Sequence, residues 1–480
     1  MRTEFHGGQT GTYTNANHSH PDHSVTIAKA ELRSALKEAS TRSFEGYRAI
    51  FDAVCNLPEH RDAASKLSYS EVQHMMRKAR STCFPPVPST VSEFSEIMTS
   101  DKAAGFRSID GDPFYYGSTG EAGNQTMFFI VPATKNALRV AAETTLSFDG
   151  TFKTKPAMFG QLFMAYAKVN EKIHPLAFMP AENEHPTTEQ YKNILQRVKA
   201  ELGTVKVTVT VSDFEKPLIN ACREVFSQAT HQGCLFHFKQ AVKRYIVVKV
   251  GVHPTSKDYN VYRMALQLPH LPANKMMEGV KVVTEYIKKH TEDVEKAEDF
   301  GRYLRLQWLR NISPLIYSTY RSDITTNNVA ESYHSLLLRE VGVSPSPWVF
   351  VEKIIGLSKT VALEISRGDQ ALMYRRQQSE RQKVVQLCTA AFDEDGDVQK
   401  FLLSLNDSKK NIECCSMQMA DNDLIIALDV CVSCTKYAAI TLQPCMHKPY
   451  CGTCVWPALA SNKLCPLCSA PWSGILKDTE

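Results

Sequence analysis

Eight potential zinc ligands lie close together near the carboxyl end of the chain, and they constrain its fold more than any other feature. They form three C-x2-C pairs and one C-x-H pair, in the order Cys431, Cys434, Cys445, His447, Cys451, Cys454, Cys465 and Cys468. Seven of the fourteen cysteines lie in this stretch beside a histidine, a pattern that indicates metal rather than disulfides in a long chain that we expect to be intracellular. A structural zinc site takes four soft ligands in a tetrahedron, so four pairs complete two closed sites.

The order of three cysteines, one histidine and four cysteines is similar to that of the RING family. The resemblance implies that the first and third pairs share one zinc ion, bound by Cys431, Cys434, Cys451 and Cys454. It implies that the second and fourth pairs share the other ion, bound by Cys445, His447, Cys465 and Cys468. We therefore expect two structural zinc ions in a small C-terminal module.

RING fingers usually recruit a ubiquitin-conjugating enzyme through apolar residues around the first pair, the central tryptophan and the last pair. The corresponding residues are Val432, Trp456, Pro466 and Leu467. Two departures weigh against ligase activity. Ser433 stands where many active RINGs carry a branched apolar residue, and Ser469 stands where an Arg or Lys often contacts ubiquitin. Zinc binding is therefore expected, and ligase activity stays open.

Length and composition describe an ordinary globular chain of several domains. A length of 480 residues suggests roughly three domains. The formal charge of +4 is too small to indicate nucleic-acid binding by itself, so any basic surface must be local. We find neither a secretory signal nor an apolar run long enough to span a membrane. The expected location is nuclear, otherwise cytoplasmic, with no secretion and no membrane partner.

The N-terminal third of the chain carries weaker patterns. Residues 1–25 are polar, and His18 and His20 in HSHPDH resemble the end of a FLYWCH-type zinc finger, but no cysteine pair precedes them. We favour a disordered segment, with a FLYWCH-finger remnant as the alternative. Residues 26–140 carry helical patterns and then, from about 105, strand patterns such as TMFFIVPAT.

Strand and helix patterns alternate over about ninety residues in the middle of the chain. Three strands are predicted in LSFDGTFK (146–153), FGQLFMAYAKV (159–169) and HPLAFMP (174–180). A helix then begins at Thr187 with the capping-box sequence TTEQ and ends before Gly203. The strand VKVTVTVSDFE, a helix from Glu215 to Phe226 and a final strand THQGCLFHF complete the series. Periodicity alone indicates a mixed α/β domain, and this order of elements resembles an RNase H-like fold.

Two aspartates are candidate catalytic residues in such a fold. Asp149 lies in the first predicted strand and Asp213 at the end of the fourth, and these strands are neighbours in an RNase H-like sheet. A charged aspartate within a valine-rich strand is costly unless it is paired or metal-bound. Carboxylate oxygens suit magnesium or manganese, and a pair of such ions can activate a water or a 3′-hydroxyl in phosphodiester chemistry.

Several motifs resemble those of the Mutator-like element (MULE) transposases. They are SFDGTFK, the Y-x-x-I-L helix, VSDFE, GCLFH and, further on, TTNNVAESYHSLL (325–337). Together they cover roughly residues 140–365. The resemblance implies an Asp-Asp-Glu triad, which corresponds to Asp149, Asp213 and Glu331, and a C-x2-H pair, which corresponds to Cys234 and His237. The resemblance implies a structural role for that pair or a role in orienting the active site. Metal binding there is the less favoured alternative, since two ligands do not make a closed zinc site.

Some ninety residues before Glu331 are predicted to be largely helical, as an insertion typical of such transposases. Trp308 in this insertion is a candidate for stacking near a DNA end, although a buried core tryptophan is the favoured interpretation. Lys239, Lys243 and Arg244 are candidate phosphate contacts.

A second basic segment, YRRQQSERQK (374–383), is a further candidate for phosphate contact. For both basic clusters a solvated helix face is the favoured alternative. The acidic sequence DEDGD (393–397) is expected to be a solvated loop.

The predicted fold is an α/β RNase H-like core with a helical insertion and a helical N-terminal region, followed by a zinc-stabilised RING domain. The predicted segments are 1–25 as described, 26–140 helical and then strand-rich, 141–245 the core, 246–322 the insertion, 323–365 the helix carrying the third acid, 366–428 a helical spacer and 429–472 the RING.

Three functions stay open at this point. The first is a transposase-derived enzyme that cleaves and joins DNA at element termini with magnesium or manganese. The second is a RING-type ubiquitin-protein ligase that uses the transposase-like domain for partner recognition. The third is a domesticated DNA-binding regulator without catalysis. DNA and a ubiquitin-conjugating enzyme are the expected partners, and a homo-oligomer is a further candidate.

Overall fold

The computed structural model describes the backbone of residues 2–6, 9–13, 23–170, 172–322, 328–367, 375–413, 440–443 and 474–477. Side chains are described for residues 23–170, 172–322, 333–367 and 383–407. Within these ranges no helix combines the length and the apolar character needed to cross a membrane.

The N-terminal part contains a short hairpin and five helices. The hairpin pairs β1 (Arg2–His6) with β2 (Gln9–Tyr13) in antiparallel register. The helices are α1 (Ser24–Ser40), α2 (Tyr47–Cys55), α3 (Arg61–Ala64), α4 (Tyr69–Cys83) and α5 (Val91–Thr99). Single 3-10 turns lie at Pro58–His60 and Asp101–Phe106. The helical patterns predicted from residue 26 onward agree with these helices, whereas the segment 1–25, for which disorder was the favoured prediction, contains the hairpin.

The next part of the chain, in order, contains the strands of the central sheet, a separate short ladder and several helices. They are β3 (Ser108–Ile109), β4 (Asp112–Pro113), β5 (Tyr115–Thr119), β6 (Thr126–Ile130), α6 (Pro132–Leu138), β7 (Glu143–Thr151), β8 (Gln161–Val169), β9 (Lys172–Ala181), α7 (Thr188–Leu202), β10 (Lys206–Ser212), α8 (Lys216–Val225), β11 (Thr230–Gly233) and α9 (Leu235–Tyr245).

Seven of these strands make one mixed sheet in the order β11-β10-β7-β8-β9-β6-β5. β10 runs parallel to both β7 and β11, and the other neighbours are antiparallel. The strands β5 and β6 therefore extend the sheet to residues that precede the predicted core boundary at 141. β3 and β4 form a separate two-stranded ladder.

The predicted succession from β7 to α8 is confirmed, and the capping box of α7 is present. The Thr187 hydroxyl accepts a hydrogen bond from the backbone of Gln190, whose side chain in turn accepts one from the Thr187 backbone. Five apolar side chains of α7 are buried at helical spacing, namely Tyr191, Ile194, Leu195, Val198 and Leu202. With α8 they cover one face of the sheet.

The prediction of one continuous strand over THQGCLFHF is wrong. β11 ends at Gly233, Cys234 is the N-cap residue, and LFHF begins α9. A short apolar run fits a buried strand and a buried helix equally well. Here Leu235, Phe238 and Val242 are buried at helical spacing, so helix packing decides the conformation.

The opposite face of the sheet is covered by α5 and two later helices, α14 (Asn328–Val341) and α15 (Pro347–Arg367). Trp348 of α15 is buried against Phe94 of α5 with a ring-centroid distance of 5.2 Å, and its indole N–H donates to the Pro86 carbonyl at 2.9 Å. The sheet is thus enclosed between two helical layers.

The insertion after α9 is helical, as predicted. It contains a π-helical turn (Ile246–Val250), α10 (Lys257–Tyr262), 3-10 segments at Arg263–His270 and Ala273–Lys275, α11 (Met276–His290), α12 (Val294–Tyr303), a π-helix (Leu304–Ile312) and α13 (Pro314–Tyr317). Two further helices, α16 (Arg375–Asp395) and α17 (Val398–Glu413), contribute to the same core. We call the insertion with α16 and α17 the helical lobe.

The acidic sequence at 393–397 is not a plain solvated loop. It ends α16 and caps α17, because the Asp397 carboxylate accepts the Lys400 backbone N–H at 3.0 Å. Asp393 accepts the Tyr320 hydroxyl and pairs with Arg321 at 2.6 Å. The remaining described elements are the antiparallel strands β12 (Ile440–Gln443) and β13 (Gly474–Lys477).

Candidate active site

The parallel pairing of β7 and β10 brings two buried or half-buried aspartates to one place on the sheet. Ser147 of β7 is the register partner of Val211 of β10. Asp149 lies two residues further along β7, and Asp213 lies two residues beyond Val211, directly after β10 ends, so the two aspartates stand at equivalent positions. Residues two apart on a strand point to the same face. The neighbours Leu146 and Phe148 belong to the core under α7 and α8, so Asp149 faces the side covered by α14.

The Asp149 carboxylate is enclosed, with 3% of the residue exposed. Its Oδ1 accepts the Gly150 backbone N–H at 2.9 Å and lies 3.9 Å from Nε2 of His237. Its Oδ2 lies 3.8 Å from Nδ1 of His334. Each carboxylate oxygen therefore has one imidazole nearby, at a distance suited to electrostatic interaction and longer than a hydrogen bond.

The Asp213 carboxylate is held by the backbone at the start of α8. Its Oδ1 accepts the Glu215 N–H at 3.0 Å. Burial raises the pKa of Asp213, and the nearby Asp149 raises it further, while the Glu215 N–H and His237 oppose the shift. Two adjacent carboxylates with little exposure to solvent favour a bound cation or a protonated imidazole beside them.

Glu215 is a further acidic residue in the immediate neighbourhood of Asp213. Its Oε2 accepts the Tyr191 hydroxyl of α7 at 2.9 Å. Burial raises the pKa of Glu215, with a further contribution from the Asp213 charge. Glu215 therefore links α7 to the turn that holds Asp213.

The two histidines beside Asp149 differ in charge. Burial lowers the pKa of His237, but the Cys234 side chain and the carboxylates of Asp149 and Asp213 outweigh it and raise the pKa to about 10. Burial and the neighbouring His237 lower the pKa of His334, against the opposing effect of Asp149. One imidazolium thus balances the acidic charge, and the other imidazole is neutral near pH 7.

Cys234 and His237 lie on the first turn of α9, beside the end of β11. Cys234 is fully buried as the N-cap residue. Its side chain interacts with His237 and raises the pKa of that imidazole, and the structural and the orienting roles of the pair both stay predictions.

Glu331 is part of α14, as the sequence predicted, and precedes His334 by three positions. Residues three apart lie on the same side of a helix, so the backbone of Glu331 is on the helix face that carries His334. The Glu331 side chain lies outside the described residues. Its meeting with Asp149 and Asp213 therefore stays a prediction.

The fit of a divalent cation can be judged from the two described aspartates. Among the residues whose side chains are described, no Lys or Arg forms an ion pair with Asp149 or Asp213. Within the same ranges, no group of three His, Cys, Asp or Glu side chains is arranged to hold a metal ion. The described pair supplies hard oxygen donors of the kind that magnesium and manganese prefer, and the third acid would have to complete the site.

The predicted zinc ligands and enzyme contacts lie outside the described residues. These are Cys431, Cys434, Cys445, His447, Cys451, Cys454, Cys465 and Cys468, together with Val432, Trp456, Pro466 and Leu467. His18 and His20 also lie outside them.

The hypothesis that Trp308 stacks on DNA is wrong. Trp308 is 1% exposed and packs against Phe214, Phe238 and Tyr317 in the core of the helical lobe. An indole enclosed by three aromatic rings has no face left for a base. The favoured interpretation as a core residue is confirmed.

The basic clusters are only partly described. Lys239 and Lys243 of α9 are half-buried, and Arg244 is exposed. In the segment 374–383, Lys383 is the one residue whose side chain is described, and it is exposed. Their contact with phosphates stays a prediction.

Sequence reasoning missed His334, Glu215 and Tyr191 as members of this site. A usable signal exists for His334, because the spacing E-S-Y-H places a histidine on the helix face of the third acid. Glu215 follows Asp213 by two residues, but nothing local pairs it with Tyr191.

Part of this site lies in a segment that is similar to a known family of protein domains. Residues 145–241 match the MULE transposase domain. The matched segment includes Asp149, Asp213, Cys234 and His237, and it runs from β7 into α9. The similarity to transposases inferred from the motifs is therefore supported over this range.

Among solved structures, the chain is similar to the Drosophila P element transposase strand transfer complex. The two share 12% sequence identity with a TM-score of 0.21, and the similarity covers 85% of this chain and 93% of that chain. A superposition this weak supports no inference about fold or function. None of the curated proteins matches the chain.

Proposed function

We propose that this protein is transposase-derived and that its core cleaves and joins DNA, with Asp149, Asp213 and Glu331 as the catalytic residues. The observation that carries the proposal is the equivalent placement of Asp149 and Asp213 on adjacent parallel strands. The MULE match over 145–241 supports the same chemistry. Location in the nucleus follows as part of the proposal, since DNA is the substrate.

An RNase H-like core is part of this proposal. Its support is the order of elements: three antiparallel strands, then α7, β10, α8 and β11, with β10 parallel to both β7 and β11. This arrangement places the first and fourth strands side by side, which the chemistry of two carboxylates requires.

Magnesium or manganese would be held by Asp149, Asp213 and Glu331. When bound, such ions activate a water or a 3′-hydroxyl and stabilise the leaving oxygen. The Gly150 and Glu215 backbone N–H groups fix one oxygen of each aspartate. The other oxygens stay available for ligation, and His237 stabilises the acidic charge before a cation arrives.

The experiment is DNA nicking by the full-length protein on supercoiled DNA, with magnesium, manganese or EDTA. The matched variants are Asp213→Asn, Asp149→Asn and, as a control, Asp258→Asn, an exposed aspartate on α10. We expect metal-dependent nicking that falls by about 100-fold or more in the first two variants and is unchanged in the third.

Two results would contradict this proposal. One is a wild-type protein that does not bind DNA, and the other is full activity in Asp213→Asn. Binding of DNA by the wild type without nicking in any metal would favour the domesticated regulator instead.

We also propose a C-terminal RING that binds two structural zinc ions, supported by the spacing of the eight ligands in the sequence. Elemental analysis should give two zinc ions per chain, and Cys431→Ala should lower this number. Autoubiquitination across a panel of conjugating enzymes tests the ligase function. Activity that Cys431→Ala abolishes would support a ligase, and silence across the panel would limit the RING to a structural or binding function.

A further inference from the structure

We propose that His334 is a positioning residue of the acidic site, which orients Asp149 and ties the helix of the third acid to β7. The proposal rests on the proposed function, because it assigns a second residue to the same site. The contacts of His334, its unsatisfied ring nitrogen and its place on α14 each support it.

The contact with Asp149 is specific to one ring nitrogen. Nδ1 of His334 lies 3.8 Å from Oδ2 of Asp149, while His237 lies 3.9 Å from Oδ1. The carboxylate is thus placed between two imidazoles that come from different helices, α9 and α14. Loss of one imidazole would leave Oδ2 without its neighbour and allow the carboxylate to rotate.

The other ring nitrogen of His334 is buried and has no hydrogen-bond partner among the described residues. An unsatisfied buried polar atom costs about 1–3 kcal/mol. Most buried polar atoms are satisfied, and exceptions mark functional sites or sites of ordered water and ions. His231 shows the ordinary arrangement, because its ring nitrogens face the hydroxyls of Thr210 and Ser212 at 3.0 and 3.4 Å.

The position of His334 on α14 couples Asp149 to the third acid. The preceding residue, Tyr333, packs on Tyr166 of β8 and Phe178 of β9 with ring-centroid distances of 6.1 and 6.2 Å. Tyr333 therefore docks α14 on the sheet, and His334 sets its rotation relative to Asp149. Glu331 is one turn earlier on the same face, so this rotation also determines where its backbone lies.

Outer residues that orient metal-binding carboxylates typically change metal affinity by about 10- to 100-fold when they are replaced. Manganese affinity is therefore the direct readout. It can be measured by electron paramagnetic resonance of free Mn²⁺ on the full-length, zinc-loaded protein. The Asp213→Asn variant identifies the part of the signal that belongs to the acidic site.

Three variants separate positioning from mere packing. His334→Leu keeps much of the volume and removes both polar ring nitrogens. His334→Asn keeps a polar amide group near the position of Nδ1. His174→Asn is the matched control, because Nδ1 of His174 lies at the same 3.8 Å from a carboxylate oxygen, that of Glu364, away from the site.

We expect about 10- to 100-fold weaker Mn²⁺ binding in His334→Leu, a much smaller loss in His334→Asn, and wild-type affinity in His174→Asn. Wild-type affinity in His334→Leu would overturn the proposal. Equal losses in His334→Leu and His334→Asn would overturn it too. Should His334→Leu not fold, His334→Gln replaces it, since its amide lies one bond too far to replace Nδ1.

The outcome also distinguishes this proposal from the proposed function. A wild-type protein that binds no Mn²⁺ and nicks no DNA overturns both. A wild-type protein that does both, with His334→Leu unchanged, overturns the assignment of His334 alone.

Discussion

Asp149 and Asp213 stand level on two parallel strands, each two residues beyond the last register pair of the ladder, Ser147 with Val211. The two residues differ in how their charge is stabilised. Asp149 has an imidazole near each oxygen, whereas Asp213 accepts one backbone N–H, is stabilised by His237 alone among the two imidazoles, and faces the charge of Asp149. Neutralising one or the other should therefore have opposite effects on the stability of the metal-free protein.

Asp213→Asn should raise the melting temperature of the zinc-loaded protein, without added magnesium or manganese, by about 2 °C. A gain of about 1 kcal/mol in unfolding free energy shifts the melting temperature by this amount in a domain of this length. The cause is the removal of a desolvated carboxylate beside a second one. Asp149→Asn should lower the unfolding free energy by about 3 kcal/mol, because the buried His237 imidazolium loses the carboxylate near its Nε2. Calorimetry under these conditions measures both changes, and shifts of the same sign would contradict the electrostatic account.

Acid should destabilise the sheet through His231 of β11. Burial, with a contribution from Arg223, lowers the pKa of His231 to about 4 from an ordinary value of 6.5. As the pH falls, His231 takes up a proton in the unfolded chain before it does so in the folded protein. The stability associated with the neutral, buried His231 is therefore fully present above pH 6.5 and is lost as the pH falls from 6.5 towards 4. The loss amounts to about 3 kcal/mol at 1.36 kcal/mol for each pKa unit.

In His231→Gln, the urea concentration at the unfolding midpoint should therefore decrease less between pH 6.5 and 4.5 than it does in the wild type. Unfolding monitored by circular dichroism over this range is the measurement. If plots of the urea midpoint against pH stay parallel for the wild type and the variant, the protonation of His231 is not linked to unfolding.

Gly233, at the end of β11, should not tolerate a side chain. A Cβ at this position would overlap the ring of Phe214, with Cζ at 2.7 Å, and Phe214 packs against Trp308 at a ring-centroid distance of 4.9 Å. Overpacking of this kind costs about 1–3 kcal/mol. Gly233→Ala should accordingly lower the urea midpoint.

Gly356 provides the control for the same substitution. It lies inside α15, and a Cβ there would meet nothing within 4 Å. Alanine is the better helix former by about 0.5–1 kcal/mol, so Gly356→Ala should raise the midpoint. A decrease in both variants would indicate that the close approach at Gly233 is not the cause.

Trp308 should matter for stability and not for DNA affinity. Trp308→Ala should destabilise the helical lobe by about 3–5 kcal/mol, as expected for a large aromatic in a core. Trp308→Phe keeps most of the packing and should bind DNA as the wild type does in a gel-shift assay. A selective loss of DNA affinity in a fully folded Trp308→Phe would restore a function in DNA contact.

Local patterns predicted most of the central sheet. The alternation in β7, the apolar runs of β8 and β9 and the capping box of α7 indicate the type and position of these elements, because the signals act within a few residues. The resemblance in topology implied that β7 and β10 are neighbours, and the structure pairs them, in parallel. The short apolar run after Gly233 carried no signal that distinguishes a strand from a helix.

Contacts between distant segments could not be predicted. The approach of His334 to Asp149, the addition of β5 and β6 to the sheet, and the coverage of the insertion by α17 depend on tertiary packing. No periodicity in either partner encodes which other segment it meets. The same reason explains why DEDGD was expected to be a free loop although Asp393 contacts Tyr320 and Arg321.

The composition of the helical lobe has a consequence for the order in which the protein folds during synthesis. Its core combines Phe238 and Trp308 with Phe401, Leu402 and Leu405 of α17. Chains fold from the N-terminus as they are made, and the sheet has all its strands once β11 is complete, although one of its faces stays open until α14 and α15 follow. The insertion must wait longer, with an open apolar surface until α17 emerges. A ribosome that pauses between α13 and α17 would therefore expose a partly covered lobe to chaperones, and open apolar surface of this kind favours aggregation during synthesis.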